Sequence, residues 1–334
     1  MNDSEGSENR DDGQAGLRQA LAQAMEHLNG GRPRQAEQLL RQVLKSQPDQ
    51  PTALHLLGLL AFQAGQAEDA VRLISEAVSV APDYVAAHNN LGNVLRQSGR
   101  VREAEASYRR AIAAKPDYAE ALGNLGVVLQ ARGELDEAAA SYRRALEIKP
   151  ELVDALNNLG NVLSAQGEPS EAIHCYERAL SIRPDYVDAR VNLGSLLRSQ
   201  GRLDDALSCF EAAVRQKPDF VEAQLKLGAT RQRLGQLEAA RDCYRAAIAS
   251  RDNYAQAWSN LGNVLELLGD LEESQRSYRK ALALQPDLAE AAGGLGGVLL
   301  ALGRLQEGLA LEQESFGVIR FRSDHGINID YGRR

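Results

Sequence analysis

Residues 119–152 read AEALGNLGVVLQARGELDEAAASYRRALEIKPEL, two hydrophobic periods separated by a glycine. Leu122, Leu125 and Leu129 recur at intervals of three and four, which lays one apolar stripe along a helix. Gly133 follows the last apolar turn as a left-handed stop. Leu135, Ala138, Tyr142, Ala145 and Leu146 then share one face of a second helix. Pro150 ends it, because proline has no N–H to donate and biases the residue before it away from helical angles. The stretch predicts a helical hairpin. Gly126 and Ala138 let its two helices come close, and Tyr142 and Ala145 fit against a neighbouring unit as large and small partners.

The same unit recurs along the chain at a spacing of 34 residues. One glycine series runs Gly58, Gly92, Gly126, Gly160, Gly194, Gly228, Gly262, Gly296, and a second runs Gly65, Gly99, Gly133, Gly167, Gly201, Gly235, Gly269, Gly303. Pro48, Pro82, Pro116, Pro150, Pro184, Pro218 and Pro286 keep the same step. Such self-similarity marks a helical solenoid, in which no unit buries its apolar face alone. A chain of 334 residues therefore reads as one solenoid domain rather than several globular ones. Asp83, Asp117, Asp185, Asp219 and Asp287 follow the break and are expected to cap the next helix. Pro33 and Pro169 fall just inside second helices, where a missing N–H costs nothing.

Numbered from 1 to 34, the unit has glycine at position 8, alanine at 20, an aromatic at 24, alanine at 27 and proline at 32, and so resembles the tetratricopeptide repeat. The resemblance covers about 17–316, with units at 17–50, 51–84, 85–118, 119–152, 153–186, 187–220, 221–254 and 255–288 and a degenerate ninth at 289–316. It implies an all-α, right-handed superhelical solenoid of eight to nine helix-turn-helix repeats whose inner face is built from positions 2, 5, 6, 9, 12 and 13. The first unit departs from the pattern at Ala24 and Leu40, and the seventh at Asp252 and Lys226. The ninth departs at Gly308 and in the run Gly293, Gly294, Gly296, Gly297, where glycine costs a helix about 0.8–1 kcal/mol per residue and fraying is expected.

Position 6 carries Asn90, Asn124, Asn158, Asn192 and Asn260, position 9 adds Asn93, Asn161 and Asn263, and position 5 adds Asn89 and Asn157. Asparagine is a poor helix former, so its recurrence on one face calls for a reason. An amide offers both donor and acceptor, as a peptide backbone does, and can hold an extended segment with little regard to side chains. The other reading is bracing between adjacent units. The phrases Asn89-Asn90-Leu91-Gly92-Asn93-Val94-Leu95 and Asn157-Asn158-Leu159-Gly160-Asn161-Val162-Leu163 resemble the superhelix of O-linked N-acetylglucosamine transferase. That resemblance implies that the position 6 asparagines, and less surely those at position 9, bind the main chain of a protein. A chaperone-tail carboxylate clamp is not expected, because position 5 carries no lysine and position 2 is largely acidic (Glu120, Asp154, Asp188, Glu222, Glu290). Those acids suit the first turn of a helix, where the macrodipole favours them, or would select a basic ligand.

The net charge of −8 argues against nucleic acid, which requires a concentrated basic face. Arg109-Arg110, Arg143-Arg144 and Arg279-Lys280 lie in second helices, complementing the C-terminal dipole or forming a basic docking stripe. Cys175, Cys209 and Cys243 occupy one unit position in three successive units and read as small packing residues, with metal or redox chemistry as the alternative. Five scattered histidines make no ligand cluster, and the Gly293–Gly297 run lacks the lysine and hydroxyl of a phosphate loop. No catalytic group, cofactor or metal is expected. Residues 1–16 hold no apolar stretch for a signal peptide, and the run from Ala53 to Phe62 is far shorter than the ~20 residues of a bilayer span, so a cytoplasmic protein without membrane insertion is expected.

At the ends, the acidic segment 1–16 is expected to be disordered, and the alternation in 317–334 predicts a small hairpin that either caps the ninth unit or awaits a partner. The resulting function is a noncatalytic interaction scaffold that binds extended peptide segments. Two alternatives stand beside it: a substrate-recruiting subunit of a separately encoded glycosyltransferase, and an assembly protein that forms homo-oligomers through its terminal units.

Overall fold

A computed structural model describes residues 4–316, 319–322 and 326–329, with side chains described for 15–311. The helices come in consecutive antiparallel pairs. They are α1 (Ser4–Asn29) with α2 (Pro33–Ser46), α3 (Pro51–Gln63) with α4 (Ala67–Val80), α5 (Val85–Gln97) with α6 (Val101–Ala114), α7 (Ala119–Ala131) with α8 (Leu135–Ile148), and α9 (Val153–Gln166) with α10 (Pro169–Ile182). Then follow α11 (Val187–Ser199) with α12 (Leu203–Gln216), α13 (Val221–Arg233) with α14 (Leu237–Ser250), α15 (Ala255–Leu267) with α16 (Leu271–Leu284), and α17 (Ala289–Ala301) with α18 (Leu305–Phe316). Two strands, β1 (Ile319–Arg322) and β2 (Gly326–Ile329), pair antiparallel with Phe321 opposite Ile327; residues 317–318, 323–325 and 330–334 of the expected hairpin segment lie outside the described residues. The chain divides into two compact units, Met1–Cys175 and Tyr176–Arg334, with the boundary inside α10. In the first, α2 packs on α3, α4 on α5, α6 on α7 and α8 on α9; in the second, α12 packs on α13, α14 on α15 and α16 on α17.

Both kinds of turn follow from local chemistry. The loop after each first helix closes on a glycine with positive φ, 80° at Gly133, where the Gly133 N–H donates to the Gln130 carbonyl and the Glu134 N–H to that of Leu129. This left-handed cap satisfies carbonyls that the helix end would otherwise orphan. At the turn between units the aspartates do not cap. The N-cap residues are Tyr84, Tyr118, Tyr186, Phe220 and Leu288, one position later, and none makes a side-chain cap bond. Among the described caps, Gln50 and Asp270 accept a backbone N–H instead. The turn uses the rings differently: Lys115 lies over Tyr118, Arg183 over Tyr186, Lys217 over Phe220 and Arg251 over Tyr254, at 4.1–5.8 Å from the ring centroids. Such cation–π contacts contribute about 0.5–1 kcal/mol each at exposed sites.

Within a pair, the position 24 ring lies on the position 8 glycine of its own unit. A Cβ at Gly92 would come within 2.5 Å of Tyr108, one at Gly126 within 2.6 Å of Tyr142, and one at Gly228 within 2.6 Å of Tyr244. Ala104, Ala138, Ala172, Ala206 and Ala240 at position 20 are fully buried. Ser274, which replaces alanine there, donates to the Gly262 carbonyl at 2.7 Å. Two glycines of the ninth unit stand where a side chain would not fit. A Cβ at Gly294 would collide with the Tyr278 ring of the preceding pair, and one at Gly308 would lie 2.8 Å from Leu300. Leu40 and Ala24 of the first unit are one compensated change, since a smaller side chain stands over a residue that has a Cβ, and both are fully buried.

α1 begins at Ser4 and runs through most of the segment whose composition predicted disorder. Leu17 and Leu21 pack against the first core cluster. The arginines of the second helices are held by cross-unit ion pairs rather than by the dipole alone. Arg109 meets Glu137 at 3.3 Å, Arg143 meets Glu171 at 3.3 Å, and Arg245 meets Glu273 at 2.8 Å. Glu105, only 5% exposed, is clasped between Arg109 and Arg132.

Candidate functional site

Positions 6 and 9 lie one turn apart on the first helices and so share a face. In the first unit Asn90, Asn93, Asn124, Asn158 and Asn161 are all half-buried there. Position 6 reaches back 35 residues to position 5 of the preceding repeat. Asn124 Nδ2 donates to Asn89 Oδ1 at 3.0 Å, and Asn90 Nδ2 donates to His55 Nε2 at 2.9 Å. Asn157 Nδ2 donates to Asn158 Oδ1 at 3.3 Å, and the Tyr108 hydroxyl donates to Asn93 Oδ1 at 2.8 Å. Part of the ladder therefore braces the stack. An amide has two N–H groups and two acceptor lone pairs, so Asn90 and Asn124 each keep a carbonyl oxygen and one N–H uncommitted among the described residues.

These amides surround a depression of about 310 Å³ lined by Asn89, Asn93, Asn124, Asn158, Glu120 and Asp154, with the Tyr142 ring alongside. It opens at position 5 of its repeat, where Gly123 has no side chain to fill it; the nearest atom to a Cβ there would be Leu152 Cδ2 at 3.6 Å. A backbone N–H of its own first turn holds the Glu120 carboxyl below its ordinary range, with Lys149 at 3.2 Å and Lys115 adding to the effect. The acid is thus charged and engaged by its helix, as the dipole reading expects. A larger depression, about 730 Å³, lies between α2, α3 and α4 over Leu44, Leu57, Leu60 and Leu73. Ala61 lines it at position 11, where most units carry leucine, and it has no part in the amide row.

His55 is the polar residue that the sequence leaves unremarked. It is 4% exposed, stands edge-on to Tyr84 with ring centroids 5.0 Å apart, and places Nδ1 3.0 Å from the Tyr84 hydroxyl. With Asn90 donating to Nε2, the proton belongs on Nδ1, which donates to Tyr84. Burial lowers the imidazole pKa to about 4.

In the second unit Asn192 and Asn260 are half-buried and Asn263 is exposed. Asn260 Oδ1 accepts from Gln256 at 3.1 Å, and Asn263 Oδ1 accepts from Gln232. Lys226 takes position 6 of the seventh repeat and pairs with Glu222 at 3.3 Å, so the amide row breaks at a charged residue. The position 24 hydroxyls point to this face as well. Tyr244 donates to Gln232 Oε1 at 3.1 Å and Tyr278 to Glu266 Oε2 at 3.3 Å, both at position 12. In sequence these tyrosines read only as packing residues. Cys175, Cys209 and Cys243 are free thiols, and burial pushes Cys209 and Cys243 above their ordinary pKa. Among the described residues no group of three or more His, Cys, Asp or Glu could hold a metal ion, and no helix is long and apolar enough to cross a membrane.

Two family models, both described as tetratricopeptide repeat, match the chain, one at 87–151, 117–185 and 219–287 and the other at 21–85, 55–101, 157–219, 191–231 and 268–315. No curated protein compared with the chain matches it. Among solved structures it is similar to YrrB, described as a TPR protein with an unusual peptide-binding site (26% identity, 55% of this chain and 95% of that one, TM-score 0.46). It is similar to MamA (25% identity, 48% and 94%, TM-score 0.46) and to pilF of Pseudomonas aeruginosa (22% identity, 62% and 94%, TM-score 0.56).

Proposed function

The chain belongs to the tetratricopeptide repeat family, whose members serve as protein-interaction scaffolds, and on that premise we propose that its asparagine row holds the main chain of an extended peptide segment. The observation that carries this reading is the uncommitted half of each amide. Asn90 and Asn124 use one N–H to brace the preceding repeat, which fixes the side chain and leaves a carbonyl and an N–H in a fixed direction. A peptide backbone presents the complementary groups, and a pre-oriented amide loses little rotamer entropy on binding. Bracing and binding are then two halves of one device, and the depression beside Gly123 gives the segment a place to lie.

Replacing Asn124 and Asn158 together by alanine tests it. Removing the Asn124–Asn89 bond costs about 0.5–1.5 kcal/mol, so the variant stays folded with a slightly lower melting temperature. Enrichment of a random dodecapeptide display library on the variant is expected to drop at least tenfold against wild type. A variant that enriches peptides as well as wild type, or that loses its helical content, would leave the asparagines with bracing alone.

A further inference from the structure

Among the described residues every second helix except α2 opens with an acid in its first turn. α2 carries Arg34 there, where the helix dipole disfavours a cation. Neither Arg34 nor Lys45, in the last turn of the same helix, has an acid within ion-pair distance among the described residues. The two stand three turns apart and line opposite ends of the depression of about 730 Å³ between α2, α3 and α4, roughly 16 Å from each other along the helix axis.

The floor between them is apolar, with Leu57 buried and Leu44, Leu60 and Leu73 half-buried. Positions 11 and 14 of α3 are both alanine, Ala61 and Ala64, a combination found in no other repeat. Where α6 packs on α7, the same positions hold the buried Leu129 and Arg132, which reaches the Glu105 carboxylate. Where α12 packs on α13, position 11 is Arg231, paired with Glu211 at 3.0 Å. On the rim of the depression Glu37 holds Arg41 at 2.8 Å and Asp69 holds Arg72 at 3.0 Å. Arg34 and Lys45 are therefore a local positive surplus on a chain of net charge −8.

We propose that this depression receives an amphipathic helix of a partner protein, which lays leucine or phenylalanine side chains on the floor and sets one carboxylate against Arg34 and another against Lys45. A helix repeats its own side chains three turns apart at the same rise, so one apolar face with an acid at each end meets both cations. A single-headed anion such as a fatty acid meets only one. Exposed ion pairs contribute little in water, so burial of the leucine floor supplies the affinity and the two charges select the partner and its register. No lining residue stands at position 6 or 9 of a repeat, so this site is separate from the asparagine row and does not depend on its function.

Fluorescence anisotropy on the full chain tests this with a labelled helical peptide of about eighteen residues that carries two glutamates three turns apart and two leucines between them on the same face. It is expected to bind at least tenfold tighter than a peptide of the same composition in scrambled order. Ala61→Leu restores the side chain most repeats carry; it should keep the wild-type helical content and weaken binding at least tenfold. Arg34→Glu/Lys45→Glu changes two exposed residues and should lose the glutamate peptide while gaining its lysine counterpart, an exchange that a purely structural role does not produce. Asn124→Ala/Asn158→Ala should bind the peptide as wild type does. Equal binding of patterned and scrambled peptides, binding that survives both the Ala61 and the charge-reversal variants, or no binding at all would overturn the proposal. Binding lost in the asparagine variant and kept in Ala61→Leu would assign the peptide to the amide row and overturn this site alone. Labelled dodecanoate binding more tightly than the peptide, and released by Ala61→Leu, would replace the helix by a single-headed amphiphile.

Discussion

Tyr142→Ala is expected to destabilise the first unit by about 3–5 kcal/mol, because the ring is fully buried and nothing nearby can collapse into its place over Gly126. The reverse change, Gly126→Ala, puts a Cβ 2.6 Å from Tyr142 Cε1 and is expected to cost about 1–3 kcal/mol from overpacking, offset by up to ~1 kcal/mol of helix propensity. The first repeat shows how the two changes compensate, since Ala24 stands under Leu40 and both are fully buried. Transplanting that pair as Gly126→Ala with Tyr142→Leu should lose less than the sum of the single changes, with a coupling on the order of 1 kcal/mol. Urea denaturation of the four proteins measures it. Strict additivity would mean that the ring and the glycine do not depend on each other.

A second large effect concerns acidification. His55 has a folded pKa of about 4 against 6.5 in the unfolded chain, so on lowering the pH the unfolded state takes up the proton first. The stability that the neutral imidazole contributes is therefore complete above about pH 6.5 and is lost progressively down to about pH 4. The loss is about 2 kcal/mol by pH 5 and about 3 kcal/mol in full. Protonation would also place an N–H at Nε2 against the Asn90 amide that now donates to it. Denaturant midpoints of wild type and His55→Gln at pH 7 and pH 5 test this. The variant should show most of the acid sensitivity removed, and equal sensitivity in both proteins would assign the effect elsewhere. The window from pH 6.5 to 5 keeps the measurement above the titration of Glu103 and Glu120, whose carboxyls are held low by Arg100 and by a helix backbone N–H respectively.

The fold was legible because its signals are local. A glycine that must take positive φ, a proline without an N–H and a 3.6-residue apolar period each act within a few residues of themselves, and repetition of all three in one register left no competing arrangement. The aspartates at position 33 misled for the opposite reason. Capping depends on one residue of phase in the turn, and the structure assigns the cap to the following aromatic residue. The candidate site was half legible. Asparagines on one helix face could be placed from spacing, but spacing does not say which neighbour an amide bonds.

What the sequence by itself determined is thus the period, the pairs of helices, and the positions that face inward or toward the core. Only the tertiary structure decided the partners: Asn124 with Asn89 35 residues back, Arg109 with Glu137 28 ahead, and Tyr244 with Gln232 of its own pair. Stacking brings several polar groups within reach of each side chain. Which of them lies within 3 Å depends on the offset between helices distant in sequence, a quantity that no single unit contains.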